Sequence, residues 1–201
     1  MSSAAVQSHM TPEEYLALER KATIKSEYLN GKMYAMSGAS REHNIISGNI
    51  FVALYLQLRE RSCEIYSNDM RLKVSAAGLY TYADIVVVCD EPRFEDGSVD
   101  TLLNPTALFE VLSPSTEAYD RGAKFGYYRQ LDTIQEYTLV SQDSMRVEHY
   151  LRHNEQWILT ESGRPDDVVR LTSIDCELSL REIYAKVEFP PTDALDHQVS
   201  G

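Results

Sequence analysis

Two carboxylates stand where carboxylates are costly. Asp84 lies in YADIVVV and Glu110 in ALFEVL, and each interrupts a run of apolar residues. An ionised Glu inside a buried strand is strongly destabilising unless something pairs with it. Read as strands, Tyr80, Tyr82, Asp84, Val86 and Val88 share one face, as do Leu108, Glu110 and Leu112. In the right register the two acids would come side by side and repel, and one would have to hold a proton. A divalent cation removes that conflict, and oxygen ligands suit Mg²⁺ or Mn²⁺. Lys124 follows in DRGAKFGYY. Asp120, Lys124 and Tyr128 are four apart and stack on one helical face. Turned toward the strand end, the ammonium could stabilise a pentavalent phosphate or orient a water.

Taken singly, each residue has a plainer role. Asp84 suits a turn or cap, and Lys124 suits an i,i+4 pair with Asp120. His43 suits helix capping or a satisfied core position, and Glu27 a solvated strand position. Glu110 is the hardest to place in this way, because an unpaired buried Glu is rare.

The elements that must position these groups are legible in outline. TPEEYLALER (11–20) reads as a helix with Thr11 as N-cap, Pro12 in the first turn and Glu at its positive end. Asn30-Gly31 between two short runs marks a hairpin over 25–38. A long helix runs from about Ser40 to Arg61, with Ile46, Ile50, Ala53, Leu54 and Gln57 or Leu58 on one stripe. Residues 63–75 and 80–89 suggest an antiparallel pair about the AAG turn. Strand 107–112 leads into a helical segment over 115–131, in which Gly122 and Gly126 each cost about 1 kcal/mol relative to Ala. Segments 134–141, 144–152 and 156–161 alternate like an antiparallel meander. Residues 175–187 give a short strand and helix. The expected fold class is α/β: a sheet core flanked by helices, with more antiparallel than parallel pairing.

The 201 residues fit a single domain over 11–187, between a loose leader (1–10) and a frayed tail (188–201). No apolar run has the length to cross a bilayer, and the N-terminus lacks a signal peptide's basic start and apolar core. The three cysteines, far apart and odd in number, make neither a disulfide framework nor a zinc site. These features point to a reduced, cytoplasmic protein. The formal net charge of −12 argues against a broad basic surface for nucleic acid. Acids can be segregated, however: CDEPRFEDGSVD (89–100) holds five against one Arg and reads as a solvated loop.

SEYLNGKMYAMSGASREHNIISGNI, YADIVVV, FEVLSPSTEAYDRGAKFGYY and IQEYTLV together resemble the Uma family of restriction endonucleases, a branch of the PD-(D/E)XK nuclease superfamily. The resemblance covers roughly residues 11–187, and EVLSPST with the following Asp, Lys and Tyr is its most specific piece. It implies a restriction-endonuclease-like mixed sheet between helices and Mg²⁺-dependent hydrolysis of DNA phosphodiesters. Asp84 and Glu110 match the motif's two acids as metal ligands, aided by the Val111 carbonyl. The motif's usual Pro is Ala83 here. Its lysine is absent from the strand, where Leu112 stands, and is displaced to the helix as Lys124, whose long stem can deliver the charge from there. Glu27, His43 and Tyr128 match residues typical of the family and line the same pocket in this reading. Arg71, Lys73, Arg121 and Arg129 are candidates for phosphate contacts, and the superfamily habit implies a homodimer. Two other functions fit the residues: a non-catalytic binding or assembly protein on the same fold, favoured by the negative charge, and a hydrolase of a small phosphorylated substrate.

Overall fold

A computed structural model describes residues 9–189. Most of the leader and tail therefore lie outside the described residues; Met10 is within them, and its N–H donates to the Gly31 carbonyl. Helix α1 (Pro12–Glu19) opens on a capping box, in which the Thr11 hydroxyl accepts from the Glu14 N–H and the Glu14 carboxylate accepts from the Thr11 N–H. The hairpin β1 (Ser26–Leu29) and β2 (Lys32–Ala35) turns on Asn30 and Gly31, both left-handed at φ 46° and 90°. Helix α2 (Arg41–Leu58) is capped by Ser40 and buries Ile46, Ile50, Leu54 and Leu58, the expected stripe.

The stretch expected as one antiparallel pair is divided between two sheets. Strands β3 (Glu64–Ser67) and β4 (Arg71–Val74) run against β5 (Leu79–Tyr82) and β6 (Ile85–Val88), with β4 paired to β5 and β3 to β6. Between the pairs Arg71↔Tyr82 and Ser67↔Ile85, residues 68–70 face residues 83–84. Three residues opposite two interrupt the ladder and bend the ribbon. Asp84 stands in that bend.

Strand β7 (Thr101–Leu102) joins β4 in parallel, completing a sheet ordered β2-β1-β5-β4-β7. Strand β8 (Ala107–Leu112) lies between β6 and β9 (Glu136–Ser141) in the second sheet, which continues through β10 (Val147–His153) and β11 (Gln156–Ser162) in the order β11-β10-β9-β8-β6-β3. β8 and β9 pair in parallel, while β9, β10 and β11 form the expected antiparallel meander. Between β8 and β9 the chain forms α3 (Glu117–Tyr119), a π-helical turn (Asp120–Lys124) and α4 (Phe125–Tyr128). The continuous helix read from the sequence therefore starts later and is interrupted. Stacking of Phe125 on Tyr137, with Tyr150 and Trp157 against it, holds the segment despite its two glycines. A small antiparallel pair, β12 (Val168–Leu171) and β13 (Cys176–Ser179), precedes α5 (Leu180–Ile183). Strand β12 went unrecognised in the sequence.

Alternation along β8 sorts the core. Ala107, Phe109 and Val111 face a cluster built by α2, β12, β13 and α5, whereas Leu108 and Leu112 face Phe125, Tyr128 and the first sheet. A third cluster of Tyr15, Leu16, Tyr28 and Tyr80 seats α1.

The expectation of a reduced chain is corrected for two of the three cysteines: Cys63 and Cys89 are disulfide-bonded, and Cys176 is free and buried. The physical reason is register. Glu64 pairs with Val88, so the next step outward brings Cys63 opposite Cys89, a relation hidden by a separation of 26 residues. The acidic loop is largely exposed, as expected, but its acids are also used: Asp96 and Asp100 bind Arg20, and Glu95 binds Lys73 and Tyr80.

Candidate active site

Strands β6 and β8 are antiparallel neighbours with Ile85 opposite Phe109. One step further along the same register, Asp84 falls opposite Glu110, on the face shared by Val86, Leu108 and Leu112. The two are locked together by the backbone: the Val111 N–H donates to Asp84 Oδ2 at 2.7 Å. The same carboxylate oxygen lies 3.1 Å from His43 Nε2, which reaches it from the first turn of α2. The N-cap Ser40 of that helix also bonds to Gln142, tying the helix start to the β9–β10 loop.

Glu110 is 4% exposed, and its immediate partner is Lys124, with Nζ 2.9 Å from Oε1. The Tyr128 hydroxyl donates to the same oxygen at 3.1 Å. Lys124 Nζ also donates to the Tyr82 carbonyl at 3.0 Å and lies 3.5 Å from Asp120 and 3.6 Å from Glu27. Glu27 is not the solvated strand residue of the plainer reading: its side chain is 13% exposed and accepts from the Thr81 hydroxyl. Asp84, Glu110, Lys124, Glu27 and His43 all line one cleft of about 710 Å³, together with Val111, Asp120 and Tyr119.

Three carboxylates, Glu110, Asp120 and Glu27, thus share one ammonium, with Asp84 close by. Burial works against a charged Lys124, but Glu110, Asp120 and Glu27 outweigh it and raise its pKa well above the ordinary lysine value. The acids cannot all be matched. Burial pushes the Glu110 carboxyl well up, opposed by Lys124 and assisted by Asp120 and Asp84. Burial raises Asp120 in the same way, again against Lys124. Burial also raises the Tyr119 phenol, with the Glu27 carboxylate beside it adding to the effect. Such an excess of buried negative charge is relieved by protons or by a cation.

Arg71, Lys73 and Arg121, expected as phosphate contacts, lie outside the cleft lining and are paired with acids. Arg71 is buried, bonding Tyr82, Thr101 and Asp100. Lys73 pairs with Glu95, and Arg121 with Glu117 and Glu148. Arg129 stacks on Phe125. Sequence reading missed Asp120 as a member of the site in its own right, and Tyr119 entirely. Asp120 carried a signal, its i,i+4 spacing to Lys124; Tyr119 carried none.

Residues 12–181 match the model of the Uma2 family, described as "Putative restriction endonuclease". An uncharacterized protein of Synechocystis sp. (strain ATCC 27184 / PCC 6803 / Kazusa), sll1609, is 40% identical over 80% of this chain and 92% of its own length. A second from the same organism, slr1290, is 36% identical over 90% of this chain and 94% of its own. A crystal structure from Anabaena variabilis ATCC 29413, titled as "a putative nuclease belonging to DUF820", superposes with a TM-score of 0.70 at 20% identity, covering 87% of this chain and 97% of that one. The mixed α/β architecture is the fold of that structure.

Proposed function

The chain belongs to the Uma2 family, and on that premise we propose that it is a metal-dependent endonuclease hydrolysing DNA phosphodiester bonds in the cleft between Asp84, Glu110 and Lys124. The observation that carries the reading is the juxtaposition of Asp84 and Glu110 by register, with Lys124 bonded to the second acid. The donor set fits Mg²⁺ or Mn²⁺. Among the described residues no cluster of three or more His, Cys, Asp or Glu is arranged to hold a metal. In this reading the protein would offer Asp84 and Glu110, aided by the Val111 carbonyl, and leave the remaining positions to water and substrate, the habit of Mg²⁺. When bound, the cation would polarise the phosphate and neutralise charge developing on it.

The chain's own groups have separable roles. The Val111 N–H and His43 fix the Asp84 carboxylate in one orientation. Tyr128 does the same for Glu110. Lys124, kept charged by its acidic neighbours, supplies the positive group that holds an attacking water or the charge on the phosphate. Ser40, His43 and Asn44, at the start of α2, line the cleft, so the positive end of an 18-residue helix faces the phosphate. Among the described residues no helix is long and apolar enough to cross a membrane.

The test is cleavage of DNA by purified protein with Mg²⁺ or Mn²⁺, compared with Asp84→Ala. Wild-type cleavage that disappears in the variant and on chelation supports the reading. Equal background in both proteins refutes it, and turnover of nucleotides but not of polymer replaces it with a small-substrate hydrolase.

A further inference from the structure

The lining of the cleft says more about the strand it accepts, on the basis of the nuclease reading. Tyr34 is the cross-strand partner of Glu27 in the β1–β2 hairpin. Partners directly opposite in an antiparallel pair project to the same face, so Tyr34 stands beside the carboxylate cluster. It lies on β2, at the edge of its sheet, and is 50% exposed. Ile24, 63% exposed, and Met36 line the same wall. The rest of the rim is neutral and rich in hydroxyls: Ser37, Ser40, Ser113 and Thr116. Apart from His43, the cleft has two cations. Lys124 is buried among acids, and Lys25 is committed to the Asn68 carbonyl and Asp69.

Duplex binding relies on many Lys and Arg contacts to both phosphate backbones. The cleft lacks them, and Arg71, Lys73 and Arg121 are spent on ion pairs. A volume of about 710 Å³ is that of a small-ligand pocket, enough for a nucleotide or two. What the cleft does offer is an exposed aromatic ring on which a base can stack, one of the two means by which unpaired strands are held; the other, positive charge along the backbone, would come here from Lys124 and a bound cation.

We infer that the cleft receives DNA as an unpaired strand, with one base stacked on Tyr34 and the adjoining phosphate drawn toward Lys124 and a cation held by Asp84 and Glu110. Fluorescence anisotropy with a labelled single-stranded oligonucleotide and its duplex, with Ca²⁺ in place of Mg²⁺, tests this on the full chain. The single strand should bind more tightly, Tyr34→Ala should weaken it by about tenfold, as expected for loss of one stacked base, and Tyr34→Phe should restore it. Equal or tighter duplex binding overturns the inference, as does an unchanged affinity in Tyr34→Ala, an equal loss in Tyr34→Phe, or preference for the same strand as RNA. Duplex cleavage that depends on Asp84 but shows no single-strand preference would remove this inference and leave the nuclease standing. Tyr34-dependent strand binding without any cleavage would do the reverse.

Discussion

Replacing Lys124 by Met retains an unbranched side chain and removes the charge that Glu110, Asp120 and Glu27 share. Breaking a buried ion pair by deleting one partner costs about 3–5 kcal/mol. The structure offers one relief, protonation of Glu110, and that sets a ceiling. At about 1.4 kcal/mol per pH unit above the unfolded-state value of about 4.3, the proton costs about 3.7 kcal/mol at pH 7 and about 1 kcal/mol at pH 5. The sign comes from the direction of the shift. Burial already raises Glu110, and losing Lys124 removes the group that opposes the rise. A folded-state pKa above the unfolded one means that the native state binds more protons, so the variant keeps stability at low pH and loses it as pH rises. Urea unfolding of wild type and Lys124→Met across pH 5 to 8 should therefore give a destabilisation near the ceiling at neutral pH that shrinks as pH falls. A pH-independent difference, or one under about 1 kcal/mol at pH 7, would refute the picture of one ammonium holding a set of buried acids together. The double variant Lys124→Met/Glu110→Leu should recover part of the loss, because the closest pair is then replaced as a unit while Asp120 and Glu27 still lack their cation.

Two further outcomes concern the scaffold. The Cys63–Cys89 bridge closes a loop of 26 residues, so Cys63→Ser with Cys89→Ser should lower stability by about 3 kcal/mol in denaturant unfolding, with thiol reductant producing the same loss in wild type only. Gly31 has φ 90°, and a methyl group there would meet the His9 ring at 2.2 Å, so Gly31→Ala should cost more than about 1 kcal/mol by thermal unfolding.

How much of this was legible in the sequence depends on what each residue reports about itself. Asp84 and Glu110 announced themselves because each breaks an apolar run whose alternation also fixes its face; the strand register then brought the acids together. Lys124 was legible through its spacing to Asp120 and Tyr128. The ribbon's bend at residues 68–70 and 83–84 was not: Ser67-Asn68-Asp69 are turn-forming residues, but apolar runs on both sides make the whole stretch read as one strand. The disulfide could be found only after the β3–β6 register was known. The surroundings of the arginines were hidden for a related reason. A basic residue looks free in one dimension, and only the fold discloses that Arg71 is committed to Asp100 and Arg121 to Glu148. Strand β12 was lost because VVRL is short and only Val169 and Leu171 face inward.

The π-helical turn at Asp120–Lys124 has a bearing on how such a chain can change. A π turn takes up one residue more than an α turn over about the same rotation, so deletion of a single codon, Gly122 for instance, would let the segment wind as ordinary helix with α4 near its present bearing. The stacking of Phe125 on Tyr137 and the pairing of Lys124 with Glu110 would both be retained. The turn is thus a place where the chain can lose a residue without losing the geometry around it.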